Sequence, residues 1–487
     1  ALLDEKIRAA EAAGVRLHLG TEIEVIGGHI GHYSARLTNG EEIEAGAVIM
    51  ATGAVPYVPS VFDYGRDPRV ITNLELEALL PDVAAKRVTF VGCVGSRNEE
   101  RGCSRYCCAS MIQQALALRR QGKYVRVLYR DIRTFSRHAE ELYEEAMRAG
   151  VQFFRFDSDA TPEQALAYQD GVVSFRDHLL GRAIALPTDL LVLVVGLLPG
   201  QETVSQQLKV AHSEDGFLLE KHPKLGPAEA GSPGIYLAGA CQAPKDVRES
   251  VAQALAAAAK ASVLLARDTI TKEPITASID SNECTGCGVC QATCPFSAIE
   301  LLNGTRRHEV AHVIEAACEG CGTCAAACEF DAITMPYFTD AQILAQIDAA
   351  LADLPEEKVL VFACNWCSYA GADQAGIEKI QYPPVARIIR SMCSGRVEED
   401  FIARAFERGA GAVLVTGCHL GDCHYINANN RTVERFELWR QKFARQGIAP
   451  ERLQLHWVSA AEGKQFAAKI REMAEVVGGR TRQLTGV

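Results

Sequence analysis

CTGCGVCQATCPFSAI at residues 284–299 and CEGCGTCAAACEFDAI at residues 318–333 are near copies of each other. Each copy has three cysteines separated by two residues, a fourth separated by three, and a closing Ala-Ile pair. Three thiolates on one tight loop can bind three irons of a cubane, while the fourth thiolate points to a neighbouring cubane. The repeat therefore predicts a compact α+β module that holds two [4Fe–4S] clusters.

The crossed pattern divides these eight cysteines into two ligand sets. The first set is Cys284, Cys287, Cys290 and Cys328, and the second is Cys294, Cys318, Cys321 and Cys324. A zinc ribbon also uses C-x2-C pairs, but a zinc site takes four ligands and has no use for two triplets with two outlying cysteines. The run resembles that of bacterial-type ferredoxins, although Glu329 replaces the proline that follows the last cysteine there.

The composition of the 487-residue chain excludes several classes of function. A net charge of -11 leaves no surplus of Lys and Arg to neutralise nucleic-acid phosphates. The most apolar runs, residues 190–198 and 251–266, are shorter than the roughly 20 residues that a membrane span needs. A long chain with 18 cysteines and no export signal favours metal binding in a reducing cytoplasm over disulfides. The first residue, Ala1, lies inside a predicted helix, which indicates a fragment or one half of a split gene.

Strands alternate with helices on both sides of the repeat, and this order predicts the α/β class with parallel sheets. We expect four parts: a domain at 1–270, the cluster module at 275–337, a linker helix at 338–357 and a small parallel-sheet domain at 358–487. In the first part the predicted strands are 15–19, 22–26, 34–38, 47–51, 88–91, 125–129, 190–195 and 235–238, and the predicted helices are 2–13, 108–121, 137–149 and 247–267.

Two motifs in the first domain indicate a flavin. IMATGA at residues 49–54 and GIYLAGAC at residues 234–241 resemble two motifs of the two-dinucleotide-domain flavoproteins of the thioredoxin-reductase type. The resemblance implies this fold and FAD contacts from Thr52, Gly53, Gly239 and Ala240. The helix that follows would direct its positive N-terminal end at the flavin. Lys245, just before that helix, is the residue that we expect to stabilise the reduced flavin.

A second cysteine group stands where such enzymes bind a nicotinamide cofactor. The glycines of VGCVGSR at residues 91–97 do not complete the G-x-G-x-x-G pattern, so we predict no nicotinamide site. The group comprises Cys93, Cys103, Cys107 and Cys108. Four cysteines in a loop rich in Gly and Arg predict a third [4Fe–4S] cluster, with buried structural cysteines as the alternative.

The last domain carries five cysteines after three of its predicted strands, at 359–363, 385–389, 412–416 and 454–458. The five are Cys364, Cys367, Cys393, Cys418 and Cys423. Ligands gather at the carboxyl ends of parallel strands, so these thiols can converge. Four thiolates suit a [2Fe–2S] cluster, zinc is the alternative, and which four bind is left open. His419 and His424 are expected to orient the site rather than to ligate it.

Longer strings resemble two known families. CVGSRNEERGCSRYCC at 93–108, QAPKDVRESVAQA at 242–254 and the double repeat are similar to the A-type subunit of heterodisulfide reductase. In that family the flavin splits electron pairs and the cysteine group binds a cluster beside it. The family's first FAD half is absent here, so FAD would be completed only with that N-terminal half. Cys241 also stands where many flavoprotein relatives have Asp.

FACNWCSYAGAD at 362–373, MCSGRV at 392–397 and GCHLGDCHY at 417–425 resemble the delta subunit of methyl-viologen-reducing hydrogenase. That resemblance implies a [2Fe–2S] cluster that relays electrons from a hydrogenase or formate dehydrogenase.

These resemblances together predict an oxidoreductase subunit that is active only in a complex. Electrons would pass from the [2Fe–2S] cluster through FAD to the [4Fe–4S] clusters, and then, by bifurcation, to ferredoxin and to disulfide-reducing B- and C-type subunits. One alternative is the B-type subunit of a quinone-interacting membrane-bound oxidoreductase. An alternative of another class is a zinc-binding scaffold, which metal and acid-labile sulfide analysis would separate from the first two.

Overall fold

The computed structural model describes residues 2–200, 203–304 and 309–485. The helices before residue 270 are α1 (Leu2–Ala12), α2 (Asn73–Leu79), α3 (Cys107–Arg120), α4 (Ala139–Arg148), α5 (Pro162–Ala165), α6 (Thr203–Gln207) and α7 (Val247–Leu265). The strands are β1 (Ile23–His29), β2 (His32–Leu37), β3 (Glu42–Ala45), β4 (Val48–Met50), β5 (Ala54–Pro56), β6 (Val70–Thr72), β7 (Arg87–Val94), β8 (Tyr124–Tyr129), β9 (Gln152–Arg155), β10 (Leu166–Gln169), β11 (Val172–Arg176), β12 (Ala183–Pro187), β13 (Leu190–Val195), β14 (Leu197–Pro199), β15 (Glu220–His222), β16 (Gly226–Ala230) and β17 (Ile235–Leu237).

A parallel sheet of order β6-β13-β7-β8-β9 forms the centre of this part. Every residue of β13 is buried, as its unbroken apolar sequence LLVLVV requires of a strand covered on both faces. Helix α3 packs its apolar side, including Met111 and Ile112, into the same core. The sheet therefore fixes where β7 ends and α3 begins, which is where the N-terminal cysteine group lies.

A second sheet, of order β15-β16-β17-β4, joins the two flavin-type motifs. Strand β17 runs parallel to β4, and Leu237 lies opposite Met50. The chain leaves both strands at the same edge of the sheet, since parallel strands share their carboxyl ends. Thr52, Gly53 and Gly239 are therefore neighbours in space although they are far apart in sequence.

One local prediction for the first part is wrong, and one sheet in it was not predicted. Residues 15–19 form no strand; Val15, Leu17 and Leu19 are exposed, and the structure gives the segment no partner strand among the described residues. Strands β10, β11 and β12 form an antiparallel sheet that was not predicted. Its first turn is Asp170-Gly171, both left-handed, which is a common hairpin signal that the sequence carried.

The cluster module is built from short elements around its cysteines. They are β18 (Ser278–Ile279), α8 (Val289–Thr293), β19 (Ile299–Leu302), β20 (Val310–Val313) and β21 (Ile333–Thr334). Antiparallel pairs β18–β21 and β19–β20 follow the two-fold pattern of the repeat. Ile299 and Ile333, which close the two copies, are both buried in the module's core.

The C-terminal part is a four-stranded parallel sheet of order β23-β22-β24-β25 with helices on its faces. Its elements are α9 (Asp340–Ala350), β22 (Val359–Cys364), α10 (Ser368–Ile377), β23 (Ala386–Ser391), α11 (Glu399–Glu407), β24 (Ala412–Gly417), α12 (Ala428–Arg445), β25 (Leu453–Trp457) and α13 (Gly463–Thr485). The fold class expected from the sequence, α/β on either side of an α+β ferredoxin-type module, is confirmed.

Buried arginines join the cluster module to the C-terminal sheet. Arg396 has a side chain only 1% exposed, and it pairs with Asp340 and Glu398. Arg435 donates to the carbonyl of Ala326 in the module (2.8 Å) and to that of Gly395 (2.6 Å). Cysteines of both parts lie in one shared hydrophobic core. The two parts are therefore packed as a single body around these cations.

The Glu398 carboxylate is buried, and burial raises its pKa from the ordinary 4.5 to about 7. Its partner Arg396 also pairs with Asp340, so the negative charge of Glu398 is only partly compensated. Between pH 4.5 and pH 7 the native state keeps the proton on Glu398, whereas the unfolded chain has lost it. The free energy of unfolding therefore falls as the pH rises through this range. We expect Glu398→Gln to remove that loss, roughly 1–3 kcal/mol at pH 8. Anaerobic urea unfolding at pH 5 and pH 8 measures it. Glu407→Gln, at an exposed carboxylate of α11, is the control, and equal pH dependence in both variants would contradict the expectation.

Candidate metal centres

The first cavity of the cluster module is lined by cysteines from both copies of the repeat. Cys284, Cys287 and Cys290 line it together with Cys328, and its walls include Ile279, Val289 and Phe330. Cys287 is exposed, whereas Cys284 and Cys290 are buried. The structure thus brings together the four residues of the first predicted set, and a cysteine from the second repeat completes the triplet of the first.

The second cavity contains the other predicted set. It is lined by Cys294, Cys318, Cys321 and Cys324. Burial raises the pKa of Cys321 to about 12, and the neighbouring thiols Cys294 and Cys318 add to the effect. A buried thiol in this position resists deprotonation unless a cation replaces the proton.

The residues around both cavities fit thiolate-bound clusters. Backbone N–H groups donate to several of the sulfurs, among them Ala311 to Cys284 Sγ (3.4 Å), Ala298 to Cys294 Sγ (3.4 Å) and Ala277 to Cys318 Sγ (3.5 Å). Thr285, on the wall of the first cavity, has a buried hydroxyl that finds no hydrogen-bond partner among the described residues. Within residues 2–200, 203–304 and 309–485, no three His, Cys, Asp or Glu side chains are placed to hold a single metal ion. Four sulfurs around each cavity suit a cubane, which spaces its ligands more widely than one ion does.

The N-terminal cysteine group lies where β7 ends and α3 begins. Its four members are Cys93, Cys103, Cys107 and Cys108; the last and the second both contribute to raising the pKa of Cys93 and of Cys107, so the group lies close together. Burial and the nearby Cys108 raise the pKa of Cys93 to about 11. The hydrogen bond between Cys107 and Cys108 raises the pKa of the first thiol and lowers that of the second to about 7.

The loop that carries this group has a strained backbone, and ion pairs connect it to neighbouring elements. Cys93, Arg97 and Arg105 all have left-handed backbones, which non-glycine residues adopt at an energetic cost. Arg97 pairs with Asp131 and also approaches Cys93 Sγ (3.9 Å). Arg105 pairs with Glu249 in the first turn of α7. Strained backbone of this kind persists where the surrounding fold holds it, and it clusters at functional sites. It therefore favours a ligand site over the alternative of buried structural cysteines.

The five C-terminal cysteines converge at the carboxyl edge of the sheet, as their positions after β22, β23 and β24 predicted. Cys364 Sγ lies 3.6 Å from Cys418 Sγ. Cys418 also hydrogen-bonds with Cys367 and Cys423, and Cys423 hydrogen-bonds with Cys393. The hydrogen bond from Cys418 lowers the pKa of Cys364 to about 7. All five belong to one thiol cluster, and nothing in its geometry singles out four.

Aromatic rings cover one side of this C-terminal group. Trp366, between two of the cysteines, stacks on His424 with ring centres 3.8 Å apart and donates to the hydroxyl of Tyr425 (2.9 Å). Burial lowers the pKa of His424 to about 4, so its ring is uncharged at neutral pH. His419 hydrogen-bonds with Glu462 (2.6 Å). Both histidines therefore have other partners, and the trio of rings shields the thiols from water.

The C-terminal group lies against the second cavity of the cluster module. Cys393 and Cys321 belong to one hydrophobic core, and a charge on Cys321 contributes to raising the pKa of Cys393. Tyr425 packs edge-on against Phe296, which lines the second cavity, with ring centres 6.2 Å apart. The two sites thus face each other across the shared core, and no such contact joins the C-terminal group to the N-terminal cysteines among the described residues.

The residues predicted to contact FAD lie together at the edge of the second sheet. Gly53 has a left-handed backbone and open space where a Cβ would be. Gly239 is also left-handed, and its N–H donates to Gln253 Oε1 (2.9 Å). Cys241, in the position that differs from flavoprotein relatives, is buried and donates to the carbonyl of Met50 (3.2 Å). The residues present offer an open, glycine-lined edge that suits a planar ring.

Lys245 and the N-terminal end of α7, both expected to present positive charge to the flavin, already have partners within the protein. Lys245 is half-buried, its burial lowers its pKa, and it hydrogen-bonds to Gln242 and to the carbonyl of Ala243 (3.3 Å). The N-terminus of α7 is capped by the carboxylate of Asp246, which accepts from the N–H of Glu249 (2.8 Å). The capping-box pattern Asp-x-x-Glu was visible in the sequence. The positive end of this helix is therefore already partly neutralised.

Comparison with known families agrees with this arrangement. Residues 359–479 match the family described as methyl-viologen-reducing hydrogenase, delta subunit, and residues 277–335 match the 4Fe-4S dicluster domain. Over 117 residues the chain is 46% identical to the D-type iron-sulfur subunit of the F420-non-reducing hydrogenase of Archaeoglobus profundus, covering 85% of that protein and 24% of this chain. Through its C-terminal domain the chain belongs to the hydrogenase delta-subunit family.

The chain as a whole is similar to the A-type subunit of heterodisulfide reductase. It is 36% identical over 461 residues to the A-type subunit of the ferredoxin:CoB-CoM heterodisulfide reductase of Methanosarcina mazei, covering 89% of this chain and 57% of that protein. Over 337 residues it is 41% identical to the A-type subunit of the H2:CoB-CoM heterodisulfide,ferredoxin reductase of Methanothermobacter marburgensis, covering 64% and 50%. The chain spans just over half the length of these relatives. The predicted resemblance, a heterodisulfide reductase A-like chain joined to a delta-subunit domain, is confirmed.

Among solved structures, the thioredoxin reductase of T. acidophilum aligns with 55% of this chain and 80% of its own, at 18% identity and a TM-score of 0.36. In the part of the chain that the structure describes, no helix is both long enough and apolar enough to cross a bilayer.

The arginines and lysines around the delta-subunit domain and the dicluster module were not predicted from the sequence. Arg396 and Arg435 were not singled out, although Arg396 belongs to the quoted MCSGRV string. Lys209 and Lys272 were also missed; their Nζ atoms donate to the carbonyls of Cys294 (2.9 Å) and Cys318 (2.7 Å). No spacing in the sequence connects these lysines with the cysteines, because they come from other elements of the fold.

Proposed function

We propose that this chain is the electron-transferring, iron–sulfur flavoprotein subunit of a heterodisulfide reductase-type complex. It takes electrons from a hydrogenase or formate dehydrogenase and delivers them to ferredoxin and to disulfide-reducing B- and C-type subunits, with bifurcation at FAD. The observation that carries the proposal is the packing of the delta-subunit cysteines against the second cavity of the dicluster module. The relatives named for hydrogenase and for heterodisulfide reductase support the two ends of this route.

Four centres are proposed on the chain. Three [4Fe–4S] clusters are held by Cys93, Cys103, Cys107 and Cys108, by Cys284, Cys287, Cys290 and Cys328, and by Cys294, Cys318, Cys321 and Cys324. A [2Fe–2S] cluster is held by four of Cys364, Cys367, Cys393, Cys418 and Cys423. These centres supply one-electron transfer when they are bound; the protein positions them and sets their surroundings. The proposed domains are 1–270, 275–337, 338–357 and 358–487.

The order of transfer proposed from the structure differs from the order expected from the sequence. The sequence suggested that electrons pass from the delta-subunit domain to FAD first. Cys393 and Tyr425 instead face the second cavity of the module, with Phe296 between the two parts. We propose that electrons enter the module at this contact and reach the flavin side afterwards. The buried rings and the apolar core exclude water from the contact, and this keeps the local dielectric low.

FAD is proposed at the edge that carries Thr52, Gly53, Gly239 and Ala240, with Lys245 nearby. Glu249 and Arg105 link the start of α7 at this edge to the loop of the N-terminal cysteine group. The ion pair is half-exposed at both ends, so its role is to fix geometry more than to add stability. The pair supports a third cluster that would lie beside the proposed flavin.

Metal analysis tests the proposal against a zinc scaffold. Chain purified without oxygen should hold about 14 iron atoms and a similar amount of acid-labile sulfide, since three cubanes and one [2Fe–2S] cluster require that number. Stoichiometric zinc with no sulfide would refute the electron-transfer function and leave the scaffold as the better account.

The crossed ligand sets predict which cluster each outlying cysteine serves. Cys294→Ser should damage the cluster of Cys318, Cys321 and Cys324, and Cys328→Ser should damage the cluster of the first triplet. Electron paramagnetic resonance of the reduced protein measures which signal is lost in each variant. Cys241→Ser, at a buried cysteine outside all four groups, should keep every signal. Cys321→Ser, in the second triplet, identifies the signal of the second cluster; loss of that signal in Cys328→Ser but not in Cys294→Ser would show that the crossing is wrong.

Lys245 is proposed to stabilise the reduced, anionic flavin, because a half-buried ammonium favours negative charge nearby. In the flavin-loaded complex, Lys245→Ala should lower the flavin's reduction potential, and Lys245→Arg should restore most of it. A spectroelectrochemical titration measures both. An unchanged potential in the alanine variant would remove Lys245 from the proposed site.

A further inference from the structure

Two lysines donate to main-chain carbonyls of cysteines that line the same cavity. Lys209 Nζ lies 2.9 Å from the carbonyl oxygen of Cys294. Lys272 Nζ lies 2.7 Å from that of Cys318 and 2.8 Å from that of Ala316. Both cysteines belong to the second cavity, and both lysines come from outside the cluster module. Two ammonium groups are therefore held beside one proposed cluster by different parts of the fold.

The end of α6 sets the position of Lys209. Lys209 follows α6 in a left-handed conformation (φ 51°), and the N–H of Val210 donates back to the carbonyl of Ser205 (2.9 Å), which closes the helix. The next residue, Val210, is buried in the core of the second sheet, so the turn directs Lys209 toward the module while the chain continues inward. Lys272 lies between α7 and β18, and its side chain is 23% exposed.

The first cavity has a different environment. Within the described residues, its cysteines Cys284, Cys287, Cys290 and Cys328 accept no hydrogen bond from a lysine or arginine, and its walls are mainly apolar. Cys287 is exposed there, whereas Cys321 and Cys324 of the second cavity are buried. Burial alone makes it harder to add negative charge to a cluster. The second cavity would therefore be the harder of the two to reduce if no cation stood beside it.

A positive charge close to a cluster stabilises its reduced form, which carries one more negative charge. Both lysines are only partly buried, so solvent screens part of this interaction and the remainder acts on the buried thiols of the second cavity. Lys272 also lies 2.9 Å from Glu319 Oε1, which offsets part of its charge. Lys209 pairs with no carboxylate in the part of the chain that the structure describes. Less of its positive charge is therefore offset than that of Lys272, and we expect it to have the larger effect on the second cavity.

We propose that Lys209 and Lys272 are positioning residues that raise the reduction potential of the second dicluster centre. They offset the cost of its burial and make it a competent acceptor for the electron that leaves the delta-subunit domain. In that step the delta-subunit centre loses one electron and the second dicluster centre gains it; no proton or bond is transferred. The inference rests on the proposed function, since it takes the cysteines to be cluster ligands.

A redox titration of the iron-loaded full chain, followed by electron paramagnetic resonance, tests this role. The signal of the second centre is identified as the one lost in Cys294→Ser. Lys209→Met should move the midpoint of that signal to a lower potential, so that at the wild-type midpoint the ratio of reduced to oxidised centre falls roughly threefold or more. Lys272→Met should shift it in the same direction but less. Lys209→Arg should restore the wild-type midpoint, and the exposed-site variant Lys224→Met should leave it unchanged.

Lys209→Gln separates charge from hydrogen bonding, because an amide can still donate to the Cys294 carbonyl. It should retain full iron and sulfide and show the same lowered midpoint as the methionine variant. A wild-type midpoint in Lys209→Gln, or an equal shift of both dicluster signals, would overturn the proposal. Lack of iron and sulfide in the unmodified chain would contradict the proposed function instead, so the two failures can be told apart.

Discussion

Buried thiols that crowd together are the constraint on which the rest of this structure depends. Cys321, Cys324 and Cys393 lie in one dry core where a thiolate cannot be hydrated. Burial raises the pKa of the first two, and a hydrogen bond with Cys423 together with burial raises the pKa of Cys393. A protein gains nothing in stability from gathering such groups, since ordinary apolar side chains would pack better without the charge problem. Cations resolve the conflict, whether as the iron of a cluster or as the side chains placed around it. The positions of the glycines, the arginines and the outside lysines can be understood from this requirement.

The join between the dicluster module and the delta-subunit domain illustrates the point. Gly322 lies so close to Arg396 that a Cβ there would meet its side chain, and Gly395 is equally close to Thr323. The two segments approach closely because each glycine leaves room for a side chain of the other segment. Arg396 and Arg435 then satisfy carboxylates and carbonyls that the approach has removed from water. The contact is thus a specific part of the fold, and it places the two sets of sulfurs on either side of one core.

The grouping of the cysteines could be predicted from the sequence, whereas the side chains that surround them could not. The repeat at Cys284 and Cys318 was sufficient to predict both cavities, because ligand spacing along the chain dictates the local loop. The five C-terminal cysteines could be placed together because they follow parallel strands, whose ends share an edge. The partners of Lys209 or Arg435 could not be predicted in this way, since their contacts depend on how separate elements pack. The hairpin at Asp170-Gly171 and the cap at Asp246 did carry local signals, and those were overlooked.

The spatial order of the sites has a consequence for how electrons move through a fused chain. Where donor and acceptor are separate proteins, transfer waits for them to meet and to orient. Here the delta-subunit cysteines and the second cavity share a core, so their geometry is fixed by folding. Lys209 and its contact with the Cys294 carbonyl extend that arrangement to the first domain, and Arg105 with Glu249 extends it to the loop of the N-terminal cysteines. Under the proposed function, the properties of the second dicluster centre would then decide how readily an electron passes from the delta-subunit domain toward the first domain.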